Sequence, residues 1–183
     1  MVIFTNSILA ESSMQDVIEK CIKKYNPTAV YLREKHLLDG EYYALAKELL
    51  PLCDSYGVKF FICHRVDIAR KLGVTNLHTN LETLSKIGTI CDFNNISASI
   101  HSKREVGIAQ NLGATSLVYG HIFKTDCKHN IQPRGLEQLK EICTLSDLPV
   151  IAIGGINRDN YKEVLQAGSQ DFAIMSRAMT LTF

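Results

Sequence analysis

The chain has 183 residues, 46% of them hydrophobic and 21% charged, with a formal net charge of +1. That length suits one domain with a sizeable core, and the composition is ordinary for a soluble globular protein. A charge this near zero offers no bulk electrostatic argument for a nucleic-acid or membrane partner, and no apolar stretch is long enough to span a bilayer. Met1 to Thr5 lacks the basic start and long apolar run of a signal peptide, so the cytoplasm is the expected location. The six cysteines (21, 53, 63, 91, 127 and 143) show no CxxC and no zinc-like clustering, which favours reduced thiols over a disulfide framework.

Short β-rich runs alternate with segments of helical period along the chain, the pattern of parallel βα units. Val2 to Phe4 is the first strand. Ser13 and Asp16 form a capping-box pattern, and Met14, Val17, Ile18, Cys21, Ile22 and Tyr25 mark one face of the helix that follows. The second strand, Thr28 to Leu32, runs into Arg33, Glu34 and Lys35. A helix from about Glu41 to Tyr56 contains Pro51, expected to kink it, and is closed by Gly57. Val58 to Cys63 is the third strand, and Val66 to Leu72 the helix closed by Gly73. Asn76 to His78 is a short fourth strand, followed by a weak helix around Leu81 to Ile87. Ile96 to Ile100 is the fifth strand. Ser102 and Glu105 repeat the capping-box pattern before a helix that ends at Gly113. The sixth strand, Ser116 to Tyr119, reaches Gly120 and His121. A helix from Leu136 to Cys143 precedes the clearest strand, Pro149 to Gly155, which ends in the pair Gly154 and Gly155. A last helix, Asp159 to Ala167, leads to the eighth strand, Asp171 to Met175.

Eight strands with seven intervening helices predict a single α/β domain over residues 1–183, a (β/α)₈ TIM barrel. A doubly wound sheet is the alternative. The barrel is short, since about 250 residues is typical, and its eighth helix is truncated to barely a turn. The closing seam is then either covered by a partner subunit, as in a homodimer, or frayed.

In such a barrel the active site lies where strands end, and several residues there can carry chemistry. His121 is the leading acid/base candidate, because imidazole titrates near neutrality; a structural histidine is the equal alternative. Gly154 and Gly155 after the seventh strand, with Met175 and Ser176 after the eighth, are the expected phosphate cradle. Backbone N–H groups there can meet an anion with no Cβ in the way. Arg33 and Lys35 could hold a carboxylate or phosphate, or belong to a salt-bridged rim with Glu34. His64, His78 and His101 also fall near strand ends, but their spacing matches no metal-ligand motif, so no metal is expected. No GxSxG and no marked cysteine points to a covalent nucleophile.

The runs Leu32 to Lys35, Arg65 to Asp67, Gly120 to Lys128 and Pro149 to Ile156 are similar to the thiamine phosphate synthase superfamily. Within it, Gly120-His-Ile-Phe-Lys-Thr-Asp-Cys-Lys128 resembles the TenI branch, the thiazole tautomerases; the synthase branch usually has proline at the position of His121. The tautomerase resemblance implies an isomerase of thiamine biosynthesis that aromatises a carboxythiazole phosphate by proton transfer, without metal or organic cofactor. It implies His121 as the general acid/base, Gly154, Gly155 and Ser176 around the phosphate, and Arg33 and Lys35 at the carboxylate. Ser99 and Lys128 match rim positions that contact substrate. The synthase resemblance implies instead acidic residues that hold Mg²⁺ and a pyrimidine diphosphate. Here Cys63-His64-Arg65 stands where the synthase has Asn-Asp-Arg, and Thr79-Asn80-Leu81-Glu82 where it has Gly-Gln-x-Asp. The tautomerase is therefore the leading expectation. A synthase, and a non-catalytic regulator that binds a phosphate ligand on the same barrel, are the alternatives.

Overall fold

In the computed structural model, residues 1–125 and 131–183 are described. Eight parallel strands close a barrel in sequence order: β1 (Val2–Phe4), β2 (Ala29–Leu32), β3 (Lys59–Cys63), β4 (Asn76–Asn80), β5 (Asn95–Ile100), β6 (Ser116–Gly120), β7 (Val150–Ile153) and β8 (Asp171–Ile174). The ring closes where Val2 and Ile3 pair with Ala173 and Ile174. Around it lie α1 (Met14–Tyr25), α2 (Asp39–Ser55), α3 (Val66–Leu72), α4 (Leu81–Lys86), α5 (Lys103–Asn111), α6 (Gly135–Leu145), α7 (Tyr161–Gln166) and α8 (Ser176–Met179). The barrel expected from the sequence is the fold, including an eighth helix of four residues.

Strand alternation divides the core in two. Val2, Phe4, Ala29, Tyr31, Phe61, Cys63, Val118, Ile151 and Ala173 fill the lumen. Their neighbours, such as Ile3, Val30, Leu32, Phe60 and Ile62, point outward and pack beneath the helices with Ile18, Leu49 and Val164. A stacked Phe4–Tyr31 pair, with ring centroids 4.6 Å apart, and the adjoining Tyr31–Phe61 contact floor the mouth. The Tyr42 hydroxyl of α2 donates to Leu32 O and accepts from the Cys63 N–H, pinning the ends of β2 and β3. These two ends carry the cationic side of the site described below.

Several local expectations meet the structure differently. Pro51 sits inside α2, which runs on to Ser55. Ser13 caps α1 by accepting from the Asp16 N–H at 3.2 Å, but Ser102 makes no such bond at α5. There the Glu105 carboxylate accepts from the His101 N–H instead. Cys21, Cys53 and Cys63 are buried free thiols, which burial makes harder to ionise. No helix among the described residues is long and apolar enough to cross a membrane.

Candidate active site

The C-terminal ends of all eight strands open into one cavity of about 710 Å³. Of the residues singled out from the sequence, Arg33, Lys35, Ser99 and His121 line it. So do Gly154, Gly155, Met175 and Ser176. Lys128 lies outside the described residues.

The side built on β2 to β5 uses side chains. Beyond β2, Glu34 is buried outside the cavity lining, where its Oε2 accepts from both the N–H and the hydroxyl of Ser7 at 2.8 Å. Of the two readings of this triplet, the salt-bridged rim is absent: neither Arg33 nor Lys35 is ion-paired among the described residues. Alternation places both cations at the mouth instead, and Arg33 Nη1 reaches to 3.7 Å from the Met175 sulfur at the end of β8. His64, just past β3, adopts a left-handed φ of 63°, held by donation of its N–H to His78 O. Burial first, then the charges of Lys35 and Arg33, disfavour its protonated form. Below it, the His78 ring nitrogens lie 3.1 Å from Ser97 Oγ and 3.0 Å from Ser99 Oγ. Burial, with His64 and Arg33 nearby, pushes the His78 pKa down to about 3, so this imidazole is neutral and fixes the Ser99 hydroxyl.

The β6 to β8 side relies on backbone. Ile122 and Phe123 donate their N–H groups to Ile153 O and Gly154 O, laying the segment after β6 against the end of β7. This close approach demands glycine. A Cβ on Gly120 would lie 2.2 Å from Ile153 O, and one on Gly154, whose φ is +105°, would lie 2.2 Å from the His121 Cβ. His121 is only 4% exposed; its Nε2 is 3.3 Å from Ile131 O, and its own carbonyl accepts from the Arg134 N–H. The residue thus lines the cavity and, through its carbonyl, ties the start of α6 to β6. The N–H groups of Gly155 and Ile156 donate to no described residue, leaving them available to an anion.

The sequence profile described as thiamine monophosphate synthase matches residues 1–178. The chain belongs to that family. It is 35% identical to the thiamine-phosphate synthase of Methanococcus vannielii over 161 residues, covering 87% of this chain and 78% of that protein. The thiamine-phosphate synthase of Clostridium acetobutylicum is 31% identical over 172 residues, 92% of this chain and 81% of the relative. Among solved structures, thiamine phosphate pyrophosphorylase from Pyrococcus furiosus superposes with a TM-score of 0.84 at 29% identity, covering 97% of this chain and 86% of that one.

These relatives overturn the tautomerase expectation. Likeness to synthases extends over most of the barrel, whereas the isomerase reading rested on the nine residues from Gly120 to Lys128 and on the departures at Cys63 to Arg65 and Thr79 to Glu82. Relatives named synthases are transferases, so neither an isomerase nor a thiazole tautomerase is retained. The proton-shuttle role assigned to His121 belonged to that reaction.

Sequence reasoning passed over Lys124 and Asn157, which line the cavity, and left His64 and His78 without a role. A usable signal existed for His78. Alternation along Asn76 to Asn80 places it on the same face as the two asparagines, and so on the inward face where Asn80 also meets the cavity.

Proposed function

We propose that the protein is a transferase forming thiamine phosphate from a pyrimidine diphosphate and a thiazole phosphate. One observation carries the reading beyond family membership. The described lining of the cavity contains Arg33, Lys35, Lys124 and Arg177 and no aspartate or glutamate. A site of that charge suits substrates that bring a diphosphate and a phosphate together.

Arg33 and Lys35 bind the diphosphate. As the bond to the leaving pyrophosphate breaks, negative charge grows on its oxygens, and fixed cations stabilise that charge without reorganising. Across the mouth, the Gly155 and Ile156 N–H groups and Arg177 take the phosphate of the acceptor. Ser99, oriented by neutral His78, supplies a placed hydroxyl between the two ends. His121 serves as a positioning residue, because its contacts set the distance between the β6 loop and the glycines.

The resemblance implies Mg²⁺ beside the diphosphate, and the residues present do not fit it. Among the described residues no three His, Cys, Asp or Glu side chains are grouped to hold a metal. His64 stands where the synthase has its first carboxylate, and Glu82 sits on α4, exposed and 2.6 Å from Lys86 Nζ. The roles above belong to protein groups alone.

The test incubates the protein with both substrates and follows thiamine phosphate and released pyrophosphate, once with Mg²⁺ and once with EDTA. Wild type is expected to make product, and Arg33→Ala to lower the rate by about 10²-fold. No product from wild type under either condition would discard the transferase reading.

A further inference from the structure

We propose that the β2–β3 end of the cavity is a metal-free diphosphate subsite, in which Arg33, Lys35 and His64 take the place of a divalent cation. The proposal rests on the transferase reading for the identity of the ligand, but its charge argument stands on the geometry. A diphosphate gathers three or more negative charges into a few ångströms, and an enclosed site must offset them. Hard divalent cations do so where carboxylates anchor them through oxygen ligands. Here the described lining supplies no carboxylate, and Glu34, between the two cations in sequence, lies outside it with Oε2 bonded to Ser7.

The counter-charges are side chains on adjacent strands. Leu32 pairs with Ile62, so the segments that leave β2 and β3 run side by side and bring Arg33 and Lys35 near His64. Arg33 supplies a planar fork suited to two phosphate oxygens, Lys35 a point charge at the rim. His64 is half-buried, with its backbone in the left-handed region and its N–H tied to β4. That geometry aims an imidazole, rather than an oxygen ligand, at the corner where a cation would need one. A neutral imidazole still donates one ring N–H to a phosphate oxygen, whereas Mg²⁺ is a hard ion that takes oxygen ligands. The overall charge of +1 makes the segregation clear: four permanent cations among the described residues of the mouth are not a by-product of a basic protein.

The probe is inorganic pyrophosphate, with binding measured by titration calorimetry in EDTA and again in excess Mg²⁺. Affinity in EDTA is expected to equal or exceed that in Mg²⁺, because the magnesium complex of pyrophosphate brings less charge to a site built from cations. Weakening by about tenfold or more in EDTA, or no binding in either buffer by folded protein, would overturn the proposal. His64→Asp supplies the opposing arm. It should weaken binding in EDTA by about tenfold and recover part of the loss when Mg²⁺ is added; unchanged binding in EDTA would remove His64 from the subsite. Failure of the transferase reading looks different. In that case pyrophosphate binds in EDTA while the paired substrates give no thiamine phosphate.

Discussion

The two halves of the cavity mouth meet anions by different physical means. From β6 to β8 the chain offers main-chain N–H groups, set by glycines that are squeezed between neighbouring segments. From β2 to β5 it offers side-chain cations and histidines carried on strands whose ends are pinned by Tyr42 and Ser7. The backbone half cannot change its chemistry without changing its packing. On the other half, charge can be exchanged residue by residue on an unchanged frame. Variants that touch each half should therefore separate stability from binding.

The largest effect is expected at Gly154. Alanine there must hold a φ of +105° and place a Cβ 2.2 Å from that of His121, and the obstacle includes the His121 backbone rather than a side-chain tip. Strain and overpacking together should cost about 3 kcal/mol, which lowers the melting temperature by roughly 10 °C in a domain of this size. Lys35→Ala, on the opposite half, should leave melting unchanged while weakening pyrophosphate binding. Thermal denaturation of the two variants side by side decides it, and a stable Gly154→Ala protein would break the contrast.

How far the sequence alone carries the molecule follows the same division. The barrel was legible because each strand is a short β-rich run punctuated by glycines and helical stretches, as in Val150 to Ile153 before Gly154 and Gly155. The position of Gly154 and Gly155 at the cavity was legible for the same reason. On the side-chain half, Arg33, Lys35 and Ser99 were singled out, but the bonds that orient this half were not legible. Arg33, Glu34 and Lys35 look like a salt-bridged triplet until strand alternation and the Ser7 hydroxyl separate them, and that hydroxyl lies 27 residues away. His78 depends on Ser97 and Ser99 from the next strand. Such partners are set by register between strands, which local pattern does not encode. The enzyme branch went wrong because a nine-residue segment and two departures from the synthase's acidic positions outweighed the rest of the barrel.

A smaller effect concerns pH. The buried His78 has its pKa pushed from 6.5 down to about 3, so the unfolded chain binds more protons between those values. Stability from this group is whole above pH 6.5 and is lost as pH falls toward 3. At pH 5 the loss is about 2 kcal/mol. Urea unfolding at pH 7 and pH 5 should show this slope in wild type, and a shallower one in His78→Gln, whatever the variant's stability at pH 7. Equal slopes would mean that His78 gains a proton as easily in the folded barrel as in the unfolded chain.

The smallest effect is expected at Arg177, which bears directly on the backbone half. Its side chain lines the mouth after β8 but stands in solvent, where water and salt screen its charge. If the Gly155 and Ile156 N–H groups carry the grip on phosphate, Arg177→Ala should weaken binding of inorganic phosphate by less than about tenfold. The residual difference should shrink further as salt rises, because a screened exposed charge is all that was removed. Arg33→Ala on the other half should lose more and keep most of its deficit in salt, since its guanidinium is half-buried beside Met175. Phosphate and pyrophosphate titrations of both variants at two ionic strengths give the comparison. Should Arg177→Ala cost as much as Arg33→Ala at high salt, the β6–β8 half would depend on a side-chain cation after all, and the division between the halves would not stand.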